Sequence, residues 1–273
     1  MITGGLFRIL SVAALASLAG MPDTADAAQC GSTATDFEAW KRQFADEARQ
    51  SGVSAATVTA FTATTYSRGT IAADRGQRNF RLSLDQFLAK RGGPAIVARG
   101  RALKQSQATL FASLEQRFGV PPGPLLAIWG METAFGRQRG NQNTLSAVAT
   151  LAYDCRRSAF FTEQLYATLT LIDRGTLSAG TRGSMHGEIG QTQFLPKSIL
   201  NYGTGGDLNN AASALTSTAN FLKAHGWRAG GGYQPGAANF SAIQAWNAAP
   251  VYQRAMALIG RQIDGGEGPS ARR

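Results

Sequence analysis

The spacing of hydrophobic residues predicts helices in the first part of the chain. Phe37, Trp40 and Phe44 follow one another at intervals of three and four residues, which places them on one face of a helix. Asp36 stands directly before this pattern and is a suitable N-terminal cap. A second, shorter helix is expected after Ser54. The first elements are therefore predicted to be amphipathic helices.

The rest of the chain continues with helical periodicity. An amphipathic segment covers residues 82–88, and Pro94 is expected to open one long helix that ends at Gly119. The apolar run 125–131 forms a further helical segment. Other helices are expected near 144–152, 158–174, 196–202, 210–225 and 250–262. Because strand-like alternation is nearly absent, the predicted fold class is mainly α with little β structure.

The N-terminus has the features of a secretory signal peptide. Arg8 precedes an apolar stretch at 9–19, and the small-residue pattern at 25–27 follows it. We therefore expect residues 1–27 to be removed and the protein to work in the periplasm; a buried N-terminal helix is the alternative. No Cys directly follows the apolar stretch, so a lipid anchor is not expected. No apolar run is long enough to predict stable membrane insertion.

The charge of the chain predicts attraction to a polyanion. Lys and Arg number 27 against 17 Asp and Glu, which gives a formal charge of +10. Removal of residues 1–27 leaves 26 basic and 15 acidic residues, and so a charge of +11. Nucleic acid, an anionic membrane and an acidic cell-wall polymer all fit this charge. Export argues against nucleic acid as the partner.

The two cysteines predict one disulfide. Cys30 and Cys155 are the only cysteines of the chain, and an exported protein matures in an oxidising compartment. A Cys30–Cys155 bridge is therefore expected, with two free buried thiols as the alternative. The polar, glycine-rich residues 265–273 are expected to form a disordered tail.

Composition gives little support to a metal or a nucleotide cofactor. His186 and His225 are the only histidines, and the chain contains no HExxH, paired CxxC or Gly-Lys-Ser/Thr phosphate loop. The segment 207–209, Asp-Leu-Asn, hints at a calcium loop, but alanines stand where further oxygen ligands are needed. We expect no cofactor and no metal.

Three stretches carry candidate chemistry. Glu132 ends the apolar helical run, where burial would raise the pKa of its carboxyl as a general acid requires; the alternative is a glutamate that turns to solvent. The segment 183–196 holds three glycines, then Gln-x-Gln-Phe, and suits close approach to a ligand or an ordinary loop. Trp246, Asn247 and Tyr252 form an aromatic and amide group that suits sugar binding or core packing.

In this order and spacing, these stretches resemble the lytic murein transglycosylase B family. The resemblance covers nearly all of the mature chain, from about residue 37 to 263. Its most specific segments are Phe-Gly-Val-Pro-Pro at 118–122, Ile-Trp-Gly-Met-Glu-Thr-Ala-Phe-Gly at 128–136, the segment 145–153, Gln-x-Gln-Phe-x-Pro at 191–196 and Lys-Ala-His-Gly-Trp at 223–227.

The resemblance implies a fold and a set of site residues. It implies that 28–264 form a lysozyme-like catalytic domain, with a helical N-terminal part at 28–93 and the core with the C-terminal helices at 94–264. The family's single catalytic glutamate corresponds to Glu132. Its substrate-contacting residues correspond to Ser184, Gln193, Asn247 and Tyr252.

The resemblance also implies an activity and a partner. The expected reaction cleaves the bond between N-acetylmuramic acid and N-acetylglucosamine in peptidoglycan without water, leaving a 1,6-anhydromuramoyl end. Peptidoglycan strands are the expected polyanionic partner, and the protein is expected to be a monomer.

Two departures from the family pattern keep other functions open. Glu188-Ile189 stand where many members have Ala-Met, so a second carboxylate could activate water and make the protein a muramidase-type hydrolase. A structural or peptide-binding role for Glu188 is the other possibility. The calcium-binding loop of some members is shortened here to 203–207, which predicts calcium independence. A peptidoglycan-binding protein without catalytic activity is the third functional class.

Overall fold

The computed structural model describes residues 28–76 and 82–266 of the chain. The predicted signal peptide and most of the predicted tail lie outside these residues. Within the described part the fold is helical, as predicted. Its thirteen helices are α1 Phe37–Gln50, α2 Ala55–Thr62, α3 Arg68–Arg75, α4 Leu84–Arg91, α5 Gly93–Ser106, α6 Ala108–Phe118, α7 Pro122–Thr133, α8 Thr144–Tyr153, α9 Ser158–Asp173, α10 Pro196–Tyr202, α11 Ala211–Ala224, α12 Phe240–Trp246 and α13 Pro250–Asp264.

The described residues contain one small sheet. Strands β1, Gln142–Asn143, and β2, Arg182–Gly183, pair antiparallel, with Gln142 opposite Gly183. This pairing brings the glycine-rich segment next to the start of α8. The sheet therefore positions a loop and does not form a layer of the fold.

The N-terminal helices pack on α8 and α9. Phe37, Trp40 and Phe44 are buried on one face of α1, and Tyr153 of α8 packs against the first two rings at centroid distances of 5.4 and 5.5 Å. The predicted Cys30–Cys155 disulfide is present and joins the start of this layer to the end of α8. The oxidised pair and the aromatic cluster together hold the N-terminal helices on the rest of the fold.

A second and larger core surrounds α7. Helices α4, α5, α6, α11, α12 and α13 bury their apolar faces around it. Gly130 lets α5 and the turn after α7 come close, because a Cβ there would meet Ile96 at 2.4 Å and Phe135 at 2.9 Å. Helix α7 is thus the central helix of this core.

Two details differ from the sequence-based expectations. The predicted long helix from Pro94 to Gly119 is two helices, because Gln107 has φ −118° and ψ 32° and leaves the helical conformation. The break lets α5 pack on α13 while α6 packs on α11. Asp36 precedes α1 without making a side-chain capping bond, whereas Ser54 accepts a hydrogen bond from the backbone of Thr57 and caps α2.

Candidate active site

Glu132 is set apart from the rest of its helix by contact with solvent. Within Pro122–Thr133, every residue except Glu132 is buried. An apolar run with proline at its first turn explains both the position of α7 and its burial. The fold therefore holds one carboxylate at the end of a fully packed helix, where it meets a cavity.

The backbone turns sharply after Glu132. Ala134 and Phe135 both have positive φ, 50° and 59°, which is uncommon for residues with a side chain. Thr133 stabilises this turn, since its hydroxyl donates to the backbone oxygen of Gln191 at 2.6 Å and accepts from the backbone NH of Gly136 at 2.8 Å. Strained backbone of this kind is typical of functional sites.

Gln191 fastens the glycine-rich segment to α7. Its Oε1 accepts a hydrogen bond from Nε1 of Trp129 at 2.8 Å, and its Nε2 donates to the backbone oxygen of Asn209 at 2.7 Å. Gly136 must lack a side chain, because a Cβ there would lie 2.0 Å from Oε1 of Gln191. The first glutamine of the Gln-x-Gln motif is therefore structural, a role that its sequence did not reveal.

A cavity of about 490 Å³ opens in front of Glu132. Its wall contains three of the predicted site residues: Glu132, Gln193 and Asn247. Glu188 also lines it. The aromatic part of the wall comes from Phe160, Phe194, Tyr202, Phe221, His225 and Trp246. Aromatic faces combined with amide and carboxyl groups are suited to binding sugar rings.

A second cavity, of about 710 Å³, lies at the C-terminal end of α9 and beside the loop 203–209. None of the predicted site residues lines it. The smaller cavity is therefore the candidate active site, because Glu132, Gln193 and Asn247 line it.

Trp246 is positioned to act on Glu132. Its Nε1 donates a hydrogen bond to Oε1 of Glu132 at 3.0 Å. Its ring is fixed edge-on against Phe194 and Phe221, with centroid distances of 5.2 and 5.1 Å. The end of α12 therefore places a hydrogen-bond donor on the candidate catalytic group.

The surroundings of Glu132 raise the pKa of its carboxyl from 4.5 to about 7. Burial contributes most, because a low-dielectric environment disfavours the charged form. The negative charge of Glu188 adds to the effect, whereas Trp246, Tyr252 and the positive charge of Arg91 favour the ionised form. The carboxyl is therefore poised to give up and take back a proton near neutral pH.

Tyr252 lies behind Glu132 and not in the cavity wall. Its side chain is 5% exposed, and its ring packs edge-on against Phe87 at 5.8 Å. The buried hydroxyl has no partner at regular hydrogen-bond geometry, yet it faces Glu132. Burial raises the pKa of Tyr252 most, and the neighbouring Glu132 raises it further. Arg91 covers the ring of Tyr252 at 5.8 Å. This geometry suits support of the carboxyl better than contact with a sugar.

Ser184 and Glu188 form one hydrogen-bonded unit. The Ser184 hydroxyl donates to Oε2 of Glu188 at 2.7 Å and accepts from the backbone NH groups of His186 and Glu188. Gly183 approaches this unit closely, since a Cβ there would lie 2.0 Å from the backbone oxygen of Glu188. Ser184 therefore contacts the cavity wall through Glu188, to which its hydroxyl hydrogen is already donated.

Gln193 and Asn247 present amide atoms to the cavity. Gln193 has a positive φ of 55°, and its Nε2 donates to the backbone oxygen of Gly190 at 2.8 Å. Asn247 accepts from the backbone NH of Ala249 through Oδ1 at 2.9 Å. Within the described residues, Oε1 of Gln193 and Nδ2 of Asn247 make no hydrogen bond, so both atoms can serve a ligand.

Some site residues were not expected from the sequence. Arg91 belongs to a basic, mixed segment in which nothing marks one cation over the others. Lys197 and Glu163 pair at 2.6 Å along the cavity wall.

Within residues 28–76 and 82–266, no group of three or more His, Cys, Asp and Glu is arranged to hold a metal. No helix in the same ranges is long and apolar enough to cross a membrane.

Comparisons with known proteins point to one family. The family described as Transglycosylase SLT domain matches residues 36–237. The membrane-bound lytic murein transglycosylase B of Escherichia coli is 36% identical over 120 residues. That alignment spans 41% of this chain but only a third (33%) of the relative's length.

Solved structures share the fold. SltB3 of Pseudomonas aeruginosa in complex with NAG-NAM-pentapeptide has a TM-score of 0.77 at 27% identity, over 84% of this chain and 80% of that one. The Escherichia coli lytic transglycosylase Slt35 in complex with bulgecin A has a TM-score of 0.72 at 22% identity, over 90% and 98% of the two chains. These likenesses confirm the predicted lysozyme-like helical fold class.

Proposed function

The chain belongs to the transglycosylase SLT domain family, and from this membership we propose that it is a lytic transglycosylase acting on peptidoglycan. The observation that carries the proposal is Glu132, a carboxyl with a pKa of about 7 at the end of a buried helix, facing a cavity with aromatic and amide walls. The SltB3 structures with NAG-NAM-pentapeptide and NAG-anhNAM-pentapeptide support the choice of substrate.

Glu132 acts first as the acid. Its protonated carboxyl donates to the oxygen that links N-acetylmuramic acid to N-acetylglucosamine, and the bond from this oxygen to the anomeric carbon breaks. Trp246 then stabilises the carboxylate with its Nε1 hydrogen bond, and Arg91 with its charge. Burial keeps the carboxyl of Glu132 protonated before the bond breaks, while Trp246 and Arg91 lower the energy of the carboxylate that forms.

Glu132 acts next as the base. Its carboxylate takes the proton from the muramoyl 6-hydroxyl, whose oxygen bonds to the anomeric carbon and closes a 1,6-anhydro ring. The proton balance returns Glu132 to its starting form, and no water is consumed. A single carboxyl suffices because the substrate supplies the nucleophile, unlike the two carboxylates of most glycosidases.

Of the remaining predicted site residues, two bind substrate and two support the acidic residues of the cavity. Gln193 offers Oε1 and Asn247 offers Nδ2 to the acetamido and hydroxyl groups of the sugars. Ser184 acts through Glu188, to which its hydroxyl is bonded. Tyr252 supports Glu132 from behind. The formal charge of the mature chain, +11, attracts the anionic peptide stems and lactyl groups of the wall.

Muramidase-type hydrolysis of the same bond is a second candidate function. The observation that favours it is the second carboxylate, Glu188, in the wall of the same cavity. In this mechanism Glu188 would remove a proton from water on the far side of the sugar. The products distinguish the two reactions, since hydrolysis leaves a reducing end.

The proposed location is the periplasm, without a lipid anchor. The signal-peptide pattern of residues 1–27 and the Cys30–Cys155 disulfide support it. N-terminal mass analysis of the protein purified from cells is expected to show a chain that begins near residue 28. A retained Met1 would contradict export.

The activity is tested with purified peptidoglycan and two proteins, the mature chain and Glu132→Gln. We expect the mature chain to release soluble muropeptides and Glu132→Gln to release none, while both proteins sediment with the insoluble wall. Equal release by both proteins would remove Glu132 from the mechanism. Binding without release by either protein would instead identify a peptidoglycan-binding protein.

A further inference from the structure

Glu188 is an acidic residue of the cavity wall whose backbone and carboxylate are both held by hydrogen bonds. Gly187, directly before it, has φ 84°, and Ile189, directly after it, forms a pair of backbone hydrogen bonds with Phe194. Ser184 donates its backbone NH to the Glu188 oxygen at 2.8 Å, and the Glu188 NH donates to the Ser184 hydroxyl at 3.2 Å. These bonds fix the direction of the Glu188 side chain.

The Ser184 hydroxyl fixes the carboxylate itself. It donates to Oε2 at 2.7 Å, which holds the carboxylate in one direction. Oε1 of Glu188 makes no hydrogen bond to the described residues. Glu188 therefore presents a fixed negative charge to the cavity that contains Glu132.

The positive charge that acts on Glu188 also serves a second carboxylate, that of Asp74. Arg157 interacts with Glu188, but it also forms an ion pair with Asp74, whose side chain is buried. Arg156 pairs with the same carboxylate of Asp74. Burial lowers the pKa of His186, so this ring is mainly neutral at neutral pH. Arg157 is therefore shared between the carboxylates of Asp74 and Glu188.

The groups that face Glu132 come from four elements. Arg91 of α4, Trp246 of α12 and Tyr252 of α13 all favour its ionised form. Among these neighbours, Glu188 in the glycine-rich loop is the group whose charge favours the protonated form.

We infer that Glu188 is a positioning residue for the reacting proton: its fixed charge keeps the proton on Glu132 until the glycosidic oxygen is in place. This inference rests on the proposed function. It also gives the Ser184 hydroxyl a defined task, which is to hold Glu188 in the direction of the acid. Glu188 in this role touches neither the broken bond nor a water molecule.

The consequence is a specific pH dependence. The cleavage rate should fall as Glu132 loses its proton, above about pH 7 in the unaltered protein. In Glu188→Gln the repelling charge is gone, so Glu132 ionises more readily and the fall should begin about one pH unit lower. The variant should therefore cleave at a similar rate at pH 5 and about tenfold more slowly at pH 8.

The experiment measures peptidoglycan cleavage from pH 4 to 9 for the mature protein, Glu188→Gln and Glu115→Gln. The last variant removes the same charge from the exposed surface of α6 and is the matched control. We expect only Glu188→Gln to shift the alkaline limb. An unmoved limb, or a loss of rate that is equal at every pH, would overturn the inference. If the mature protein forms reducing-end products and Glu188→Gln does not, the inference is also overturned, because Glu188 would then be a hydrolytic base.

A direct titration keeps the inference separate from the proposed function. The carboxyl signal of Glu132 is followed by NMR with ¹³C-labelled glutamate and assigned by its disappearance in Glu132→Gln. A lower midpoint in Glu188→Gln supports the coupling even if the protein cleaves no peptidoglycan, and an unchanged midpoint overturns it. Glu188→Ala gives the same test with a second side chain.

Discussion

Replacing Glu132 with glutamine should stabilise the protein above neutral pH. The folded protein holds the carboxyl in a mostly apolar site, and its pKa is raised from 4.5 to about 7. A carboxyl whose pKa is raised by folding favours the folded state while it is protonated, and this advantage is lost as the pH rises through the folded-state value. Glutamine is neutral at every pH and can accept the same hydrogen bond from Trp246 through its own Oε1.

The size of the effect follows from the two pKa values. The change from 4.5 to about 7, at about 1.4 kcal/mol per pH unit, sets a limit of about 3 kcal/mol. Solvent in the cavity reaches part of Glu132, so we expect about 2 kcal/mol at pH 8. At pH 4 both side chains are neutral, and the two proteins should be equally stable. Stability and activity therefore move in opposite directions in this variant.

Denaturant unfolding at pH 4, 6 and 8 measures this difference directly. The free energy of unfolding of Glu132→Gln should exceed that of the unaltered protein at pH 8 and match it at pH 4. Glu115→Gln, on the exposed face of α6, should show no such pH-dependent difference. Equal stabilities at pH 8, or a less stable Glu132→Gln, would refute the idea that the site strongly disfavours the charged carboxyl.

Three further predictions concern the surroundings of Glu132 and the fold. Trp246→Phe removes the hydrogen bond to Glu132, so Glu132 should keep its proton to higher pH. The alkaline limb of the pH–rate profile should therefore shift to higher pH. Cys30→Ser opens a loop of 125 residues and should lower the free energy of unfolding by about 4 kcal/mol, measured by urea unfolding. Gly183→Ala should reduce cleavage at least about tenfold, because its Cβ would displace the loop that carries Glu188.

Each of these predictions has its own control. For Gly183→Ala the control is Gly180→Ala, whose Cβ would meet only Ser178 at 3.8 Å; similar losses in both variants would contradict the role of close packing. A Trp246→Phe profile that stays in place would show that the hydrogen bond does not act on the proton. Reduction of the unaltered disulfide should reproduce the effect of Cys30→Ser, and unchanged stability would disprove it.

The sequence predicted most helices because their buried faces repeat at helical spacing. It failed at Gln107, since Leu103 and Leu110 stand seven residues apart, about two helical turns, and so conceal the break between α5 and α6. Helix α12 was not expected, because a seven-residue helix with Ala242 and Ile243 as its buried residues has too little periodicity.

The candidate site was predictable where a residue type conflicts with its neighbourhood. Glu132 at the end of an apolar run is such a conflict, and the structure places it at the cavity. The position of Tyr252 behind Glu132 was not predictable, since the rotation of α13 is set by packing against α4 and α7. Arg91 gave no signal for the same reason, because its relation to Glu132 arises only from tertiary packing.

Product analysis in ¹⁸O-labelled water tests the central claim most directly. Muropeptides released by the mature protein are separated and weighed by mass spectrometry. Intramolecular transfer through Glu132 predicts products one water lighter than reducing-end muropeptides, with no ¹⁸O in the new end. Reducing ends that carry one ¹⁸O atom would contradict it and identify a hydrolase.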